Sequence, residues 1–194
     1  MRLSAALKAA FSLLFAMSAV LSAGPEFKRY EQIAPAVPLY GPPDTVSMFV
    51  IGDVMLHSKQ MEYPYTQFLA GIKGLMQSAD VTVANMEFTL AGEPYTGYPE
   101  FSAPDEYADY AADCGVNVFL TANNHIMDKG RAGLERTLEV YRNMEDSKRI
   151  RFVGTSTDEM DELSRNPLII NVRGIRIAFL NFTHGTNAPM RGQT

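Results

Sequence analysis

The chain has 194 residues, 46% of them hydrophobic and 20% charged, and its formal net charge is -5 at pH 7. These values are typical of one globular domain and exclude a disordered chain, a collagen-like chain and a long coiled coil. The acidic balance supplies no basic field for nucleic acid, so we expect no nucleic-acid partner. The single cysteine, Cys114, excludes an internal disulfide and a cysteine-rich zinc site, and we expect it to be buried.

The beginning of the chain has the pattern of an export signal. Arg2 and Lys8 flank the start of an apolar stretch that runs from residue 9 to about residue 21. Because about 20 apolar residues are needed to span a membrane, we predict cleavage near Ala23, which makes residues 1–23 a signal peptide. An uncleaved N-terminal membrane anchor is the alternative. Either way, we expect the domain to be exported to the periplasm or the cell exterior.

A linker and a first strand follow. Residues 24–44 contain five prolines and no sustained hydrophobic period, which predicts an extended linker. The folded domain is expected to cover residues 45–194. It opens with a continuous apolar run at residues 46–51, closed by Gly52, and such a run is typical of a parallel strand buried on both faces.

A helix and a second strand come next. Residues 65–78 have apolar side chains at helical spacing, Phe68 and Leu75 among them, and predict an amphipathic helix. Residues 81–84 then predict a short strand. The unit is strand, helix, strand.

The same alternation continues further along the chain. Ser102 is expected to start a helix that Gly115 ends. A third strand is predicted at residues 116–121, and a third helix at about residues 131–144. The residues expected on the buried face of that helix are Leu134, Leu138 and Tyr141.

The last predicted element is a β-hairpin. Residues 168–172 and 175–182 flank Arg173-Gly174, which predicts a tight turn with glycine at a positive φ. The whole pattern predicts an α/β fold with a mainly parallel sheet and flanking helices. In such sheets ligands bind beyond the carboxyl ends of the strands.

Polar side chains follow the predicted strands. Asp53 and His57 follow the first strand, Glu87 follows the second and His125 the third; His184 follows the hairpin. Two carboxylates with imidazole and an Asn amide suit a pair of divalent cations, which would activate water and neutralise a phosphoryl oxygen. An imidazole exchanges protons near neutral pH, so His125 is suited to protonate a leaving oxygen.

Each of these residues also has a structural interpretation. Asp53 alone would suit a helix cap, and Asp128 is expected to cap the third helix. Asn123 and Asn124 tolerate left-handed turn geometry, and we favour a turn role for His184 over metal ligation. The joint pattern favours a site.

The strand-end motifs resemble the bacterial CapA family of poly-γ-glutamate capsule synthesis proteins, whose domain is similar to calcineurin-type metallophosphatases. The matching segments are residues 52–57, 85–87, 122–125 with Asp128 and Gly130, and 185–187. The resemblance implies a two-metal site of Mn, Fe or Zn. In it Asp53 and His57 hold one ion, Glu87 bridges, Asn124 holds the second and His125 acts as the acid. Family members usually continue for more than another hundred residues, so the chain is expected to be truncated.

The resemblance implies an exported protein of capsule, poly-γ-glutamate or related surface-polymer biosynthesis. We expect a metal-dependent phosphoesterase-like hydrolase or transferase that acts on an anionic polymer or phosphoester substrate, with membrane-associated capsule assembly proteins as partners. A non-catalytic polymer-binding or export subunit is the alternative. Dinucleotide binding is excluded because no glycine fingerprint follows the first strand.

Overall fold

The computed structural model describes residues 45–187 of the chain. The expected signal peptide, residues 1–23, and the expected linker, residues 24–44, lie outside the described residues. The described part forms a four-stranded sheet in the order β1-β2-β3-β4 and a separate two-stranded sheet, β5-β6. All pairs in the larger sheet are parallel, and the smaller sheet is an antiparallel hairpin, so the predicted α/β fold is confirmed.

Strands and helices alternate along the described chain. The strands are β1 (Met48–Val54), β2 (Val81–Met86), β3 (Val118–Leu120), β4 (Arg151–Val153), β5 (Leu168–Val172) and β6 (Ile175–Phe179). The helices are α1 (Ser58–Met61), α2 (Lys73–Ser78), α3 (Asp105–Asp113), α4 (Gly130–Ser147) and α5 (Glu159–Arg165). Among residues 45–187, no helix has the length and apolarity that crossing a membrane requires.

The parallel sheet is covered on both faces. One apolar cluster joins the sheet to α3 and α4, where Tyr107, Leu138 and Tyr141 are buried. A second cluster joins the other face to the hairpin, and Val83 and Ile170 belong to it. Because helices cover one face and the hairpin covers the other, the carboxyl ends of the strands form the edge that remains open to a ligand.

Strand β1 is more exposed than predicted. It lies at one edge of the sheet that the described residues form, and Val50 is 62% exposed. The prediction of burial on both faces was therefore wrong. An apolar run shows that a strand is present but does not show whether it lies at the centre or the edge of its sheet.

The helix predicted at residues 65–78 is broken. A 3₁₀ turn covers Tyr65–Gln67, irregular turns follow, and only α2 is α-helical. Phe68 and Leu75, predicted on the buried face, are exposed. Gly71 lies in the irregular turns between the two helical segments, and a glycine costs about 1 kcal/mol in a helix interior.

Two further differences are local. Ser102 does not begin α3: its hydroxyl donates to the carbonyl of Gly92, and the N-cap of α3 is Pro104. Strand β4 and helix α5 were not predicted, since their three and seven residues are too short for a clear period.

Other predictions are confirmed. Helix α4 contains the predicted residues 131–144, Gly115 follows α3 with a φ of +114°, and Cys114 is buried. The hairpin turn has positive φ at both Arg173 (52°) and Gly174 (84°). This is the geometry of a tight hairpin turn that follows the right-handed twist of its strands.

Candidate functional site

A β-bulge at the end of β1 places Asp53. The pairing of β1 with β2 shifts between Val50 and Asp53, and Gly52 within the shift has a φ of +75°. A residue with a Cβ would be strained at that φ, so glycine permits the bulge. As a result Asp53 lies opposite Asn85 of β2.

Two asparagine amides organise the carboxylates. Asn85 Nδ2 donates to Asp53 Oδ1 (2.8 Å) and to Glu87 Oε2 (3.0 Å). Asn85 is itself oriented by Asn123, whose Nδ2 donates to Asn85 Oδ1 (3.1 Å) and to the Met86 carbonyl (3.0 Å). The amide nitrogen of Asn85 is thus directed at both carboxylates.

The carboxylates of Asp53 and Glu87 lie close together and are partly shielded from solvent. Burial raises the pKa of Glu87, and the negative charge of Asp53 raises it further, while His125 acts in the opposite direction. His125 Nε2 lies 3.9 Å from Glu87 Oε1. The cluster therefore favours the arrival of positive charge, as a proton or as a cation.

His125 is held by Asp128. Its Nδ1 lies 2.7 Å from Asp128 Oδ2, and that oxygen also accepts from the backbone N–H of Phe101 at 2.7 Å. Because an ionised carboxylate only accepts, Nδ1 carries the donated proton and Nε2 faces Glu87. The predicted capping role of Asp128 was wrong, since the N-cap of α4 is Lys129.

His57 joins this cluster through an aromatic ring. The Phe101 ring lies edge-on to both imidazoles, with centroids 5.1 Å from His57 and 4.7 Å from His125. His57 is exposed and precedes α1, where its backbone N–H donates to Gln60 Oε1 at 2.7 Å. Phe101 is fully buried, so the two histidines share one rigid support.

Asn124 lies on the other side of His125. It is exposed, its Nδ2 is 3.4 Å from Asn187 Oδ1, and its carbonyl accepts from the Asn187 backbone at 2.8 Å. Asn187 Nδ2 also lies 3.1 Å from His125 Nδ1. The segment after the hairpin therefore closes against the site, which explains why the motif that contains Asn187 accompanies the strand-end motifs. His184 is exposed. Its role in a turn stays a prediction.

The structure thus brings Asp53, Glu87 and His125 into one hydrogen-bonded or ionic cluster. His57 reaches it through Phe101, and Asn124 contacts Asn187 instead of the carboxylates. The sequence analysis did not assign a site role to Asn85, Asn123, Asp128 or Asn187, although all four occur within the strand-end motifs.

The side chains of the site are of the chemical types that bind divalent cations. Carboxylate, amide and imidazole groups are ligands of such ions, and a cation would offset the repulsion that raises the pKa of Glu87. Asp128 Oδ1 is buried and has no hydrogen-bond partner among the described residues. Within residues 45–187, however, no three His, Cys, Asp or Glu side chains are arranged as a complete metal-binding group.

The protein is of the α/β class, with a parallel sheet and acidic, amide and imidazole side chains at its strand ends. The family model of the bacterial capsule synthesis protein PGA_cap matches residues 47–194, and the chain belongs to that family. It is 24% identical over 177 residues to the capsule biosynthesis protein CapA of Bacillus anthracis. The match covers 86% of the chain and 41% of that relative. The resemblance seen in the strand-end motifs is thereby confirmed.

Proposed function

We propose that the chain acts in the assembly of a bacterial capsule, poly-γ-glutamate or related surface polymer, as an exported protein that works with membrane-associated assembly proteins. The family match and the named role of the Bacillus anthracis relative support this proposal. An N-terminal apolar stretch in the sequence supports export.

We further propose a metal-dependent hydrolysis or transfer reaction at a phosphoester. The observation that carries it is the amide bridge from Asn85 to both Asp53 and Glu87. These carboxylates would hold two divalent cations, Mn, Fe or Zn, with His57 and Asn124 as further ligands. When bound, such cations supply Lewis acidity and make water more acidic.

The residues themselves provide orientation and a proton. Asn85 keeps the carboxylates of Asp53 and Glu87 from turning away, because its amide nitrogen donates to both. His125 holds a proton at Nε2 when it is an imidazolium and can release it to a leaving oxygen. Asp128 is a positioning residue, since its bond to Nδ1 directs Nε2 toward Glu87.

The test combines metal binding and turnover by the full chain. Titration with Mn²⁺ should show binding, and bis(p-nitrophenyl) phosphate should be hydrolysed only when metal is present. Asp53→Asn should weaken Mn²⁺ binding by at least about 100-fold, since loss of supporting groups alone costs about 10- to 100-fold. Asp146→Asn, an exposed carboxylate on α4, is the matched control. Equal Mn²⁺ affinity in both variants would refute the metal site.

The second candidate is a non-catalytic subunit that binds an anionic polymer or assists its export. The lack of a complete group of three metal-binding side chains within residues 45–187 favours it. Mn²⁺ binding with no hydrolysis, together with retention of polyglutamate on the metal-loaded chain, would select this candidate over the hydrolase.

A further inference from the structure

A cavity adjoins the candidate metal site. Its volume is about 310 Å³, which is within the range of small-molecule pockets. Ala122, which follows β3, and residues 154–156, which follow β4, form part of its wall. The cavity thus lies at the carboxyl ends of the strands, where α/β sheets bind ligands.

The segment after β6 forms the opposite wall. Asn181 fixes it, because its side chain accepts from the Ala122 N–H (2.6 Å) and donates to the Ala122 carbonyl (3.3 Å). Gly154 permits this approach: its φ is +117°, and a Cβ there would collide with Asn181 Oδ1. Phe182 and Thr186 of the same segment line the cavity.

The cavity is lined by residues that adjoin the candidate reaction centre in the chain. Ala122 precedes Asn123, whose amide orients Asn85. Thr186 precedes Asn187, whose Nδ2 lies 3.1 Å from His125 Nδ1. Ile126, which follows His125, also lines the cavity, so the cavity lies next to the segments that carry the site.

The charges on the wall disfavour an anion. Arg165 is the cationic residue of the described lining, and it is engaged: Nε lies 2.8 Å from Asp161 Oδ1, and Nη1 lies 3.1 Å from Glu145 Oε1. Glu162, a lining carboxylate, is exposed. Asn166 Oδ1 is buried without a hydrogen-bond partner among the described residues. Among the charged and amide groups of the lining acceptors therefore prevail, and together with the hydroxyl groups of the lining they suit a neutral group that donates hydrogen bonds.

Apolar side chains form another part of the wall, beside the hydroxyl-bearing residues Thr155, Ser156 and Thr183. Ile126, Met127 and Leu134 line the interior, and Phe182 at the rim is 72% exposed. An exposed aromatic face beside hydrogen-bond acceptors is suited to a ring that has an apolar face and hydroxyl groups at its edge.

We propose that this cavity is a subsite for a neutral, hydroxyl-bearing unit, such as a sugar ring, next to the bond on which the strand-end site acts. Its place in the reaction rests on the proposed function. The unit that occupies the cavity is not a glutamate side chain, because Glu162 repels a carboxylate and Arg165 is already paired.

The test measures binding without metal, so that it is independent of the proposed hydrolysis. N-acetylglucosamine and L-glutamate are titrated into the full chain in EDTA, and chemical shifts are followed by NMR. We expect N-acetylglucosamine to bind, with L-glutamate at least about 10-fold weaker. Phe182→Ala should weaken sugar binding about 3- to 10-fold, the range that an aromatic contact supplies.

Two controls match the variants. Tyr98→Ala removes an aromatic ring that is 71% exposed, close to the 72% of Phe182, and is expected to leave sugar binding unchanged. Glu162→Gln should weaken the sugar several-fold, whereas Glu159→Gln, on the same helix and exposed but not in the lining, should not.

The outcomes separate this proposal from the preceding one. Absence of sugar binding, or equal binding of L-glutamate, overturns the subsite even if Mn²⁺ binding and hydrolysis succeed. Sugar binding that depends on Phe182 and Glu162 supports the subsite even if hydrolysis fails. Sugar binding that is insensitive to both variants places the sugar elsewhere and overturns it.

Discussion

Two acidic regions of this molecule differ in the partners of their carboxylates. At the strand ends, Asp53 and Glu87 share one neutral amide donor, and burial and the neighbouring charge raise the pKa of Glu87. On α5, Asp161 contacts two guanidinium groups, Arg165 Nε and Arg142 Nη2, each at 2.8 Å. Burial alone would raise the pKa of Asp161, but the Thr157 N–H and these cations together lower it.

The difference distinguishes a structural ion-pair cluster from the candidate functional site. The charge of Asp161 is neutralised within the chain, so it fastens α5 to α4, which carries Arg142 and Glu145. The charges of Asp53 and Glu87 lie close together, which lowers the stability of the folded state. A carboxyl group with a raised pKa at the open edge of a sheet is typical of a binding or catalytic site.

The largest expected effect is at the paired region. Asp161→Ala should lower the free energy of unfolding by about 3 kcal/mol at pH 7, because it leaves two guanidinium groups without their shared partner. The measurement is urea unfolding. The folded pKa of Asp161 lies below 3.8, so its stabilisation is present above that pH and is lost as the pH falls through the folded pKa. The difference from the parent chain should shrink there.

Asp146→Ala is the control for Asp161→Ala. It removes an exposed carboxylate from α4, and exposed charges contribute at most about 1 kcal/mol. An equal loss of unfolding free energy in both variants would contradict the role of Asp161 in joining α5 to α4.

The next effect tests the amide bridge. Asn85→Ala should destabilise the chain in EDTA by about 2 kcal/mol, since hydrogen bonds to charged groups contribute about 1.5–3 kcal/mol. The remaining carboxylates of Asp53 and Glu87 lose their shared donor, so the pKa of Glu87 should rise further. NMR titration of the Glu87 carboxyl and urea unfolding measure the two effects. Asn143→Ala, an exposed asparagine on α4, should change neither.

The smallest effect tests the charge of Glu87 itself. Glu87→Gln should stabilise the metal-free chain by about 1 kcal/mol at pH 8, the order of a like-charge interaction in a wet environment. The folded pKa of Glu87 is raised above 4.5, so the folded state retains the proton longer than the unfolded state as the pH rises. The parent chain therefore loses stability as the pH rises through this interval, and the glutamine variant does not.

Unfolding in EDTA at pH 4 and at pH 8 checks the Glu87→Gln prediction. The gain should be small at the lower pH and full at the higher pH. Glu159→Gln, an exposed carboxylate on α5, serves as the control. A gain that is the same at both pH values would show that the charge of Glu87 is not the cause.

The sequence predicted which polar side chains lie near the strand ends, but it placed the ends themselves two to three residues away: β1 ends at Val54 instead of residue 51, and β6 at Phe179 instead of residue 182. Asp53, Glu87 and His125 each follow an apolar run, and that order was sufficient to place them at one edge of a parallel sheet. The amide bridge was not predictable, because it depends on the bulge at Gly52 that sets Asp53 opposite Asn85. Register is a property of paired strands and has no local signature in the sequence.

The helix prediction failed where apolar spacing and helix propensity disagreed. Helix α4 follows its period, and its buried residues Leu138 and Tyr141 pack as predicted. Residues 65–78 have a similar period, but Gly71 lowers helix propensity where the segment is irregular, and the segment keeps only α2 and a 3₁₀ turn. Apolar spacing alone does not compensate for that loss.

We propose that the acidic cluster of Asp53 and Glu87 is a cation site. Thermal unfolding of the full chain, first in EDTA and then with excess Mn²⁺, tests it most directly. At free metal about 100-fold above the dissociation constant, binding to the folded state adds about 2.7 kcal/mol. We predict a cooperative transition whose midpoint rises with Mn²⁺ in the parent chain and in Asp146→Asn, and does not rise in Asp53→Asn. The same midpoint in EDTA and in Mn²⁺ for the parent chain would contradict the claim.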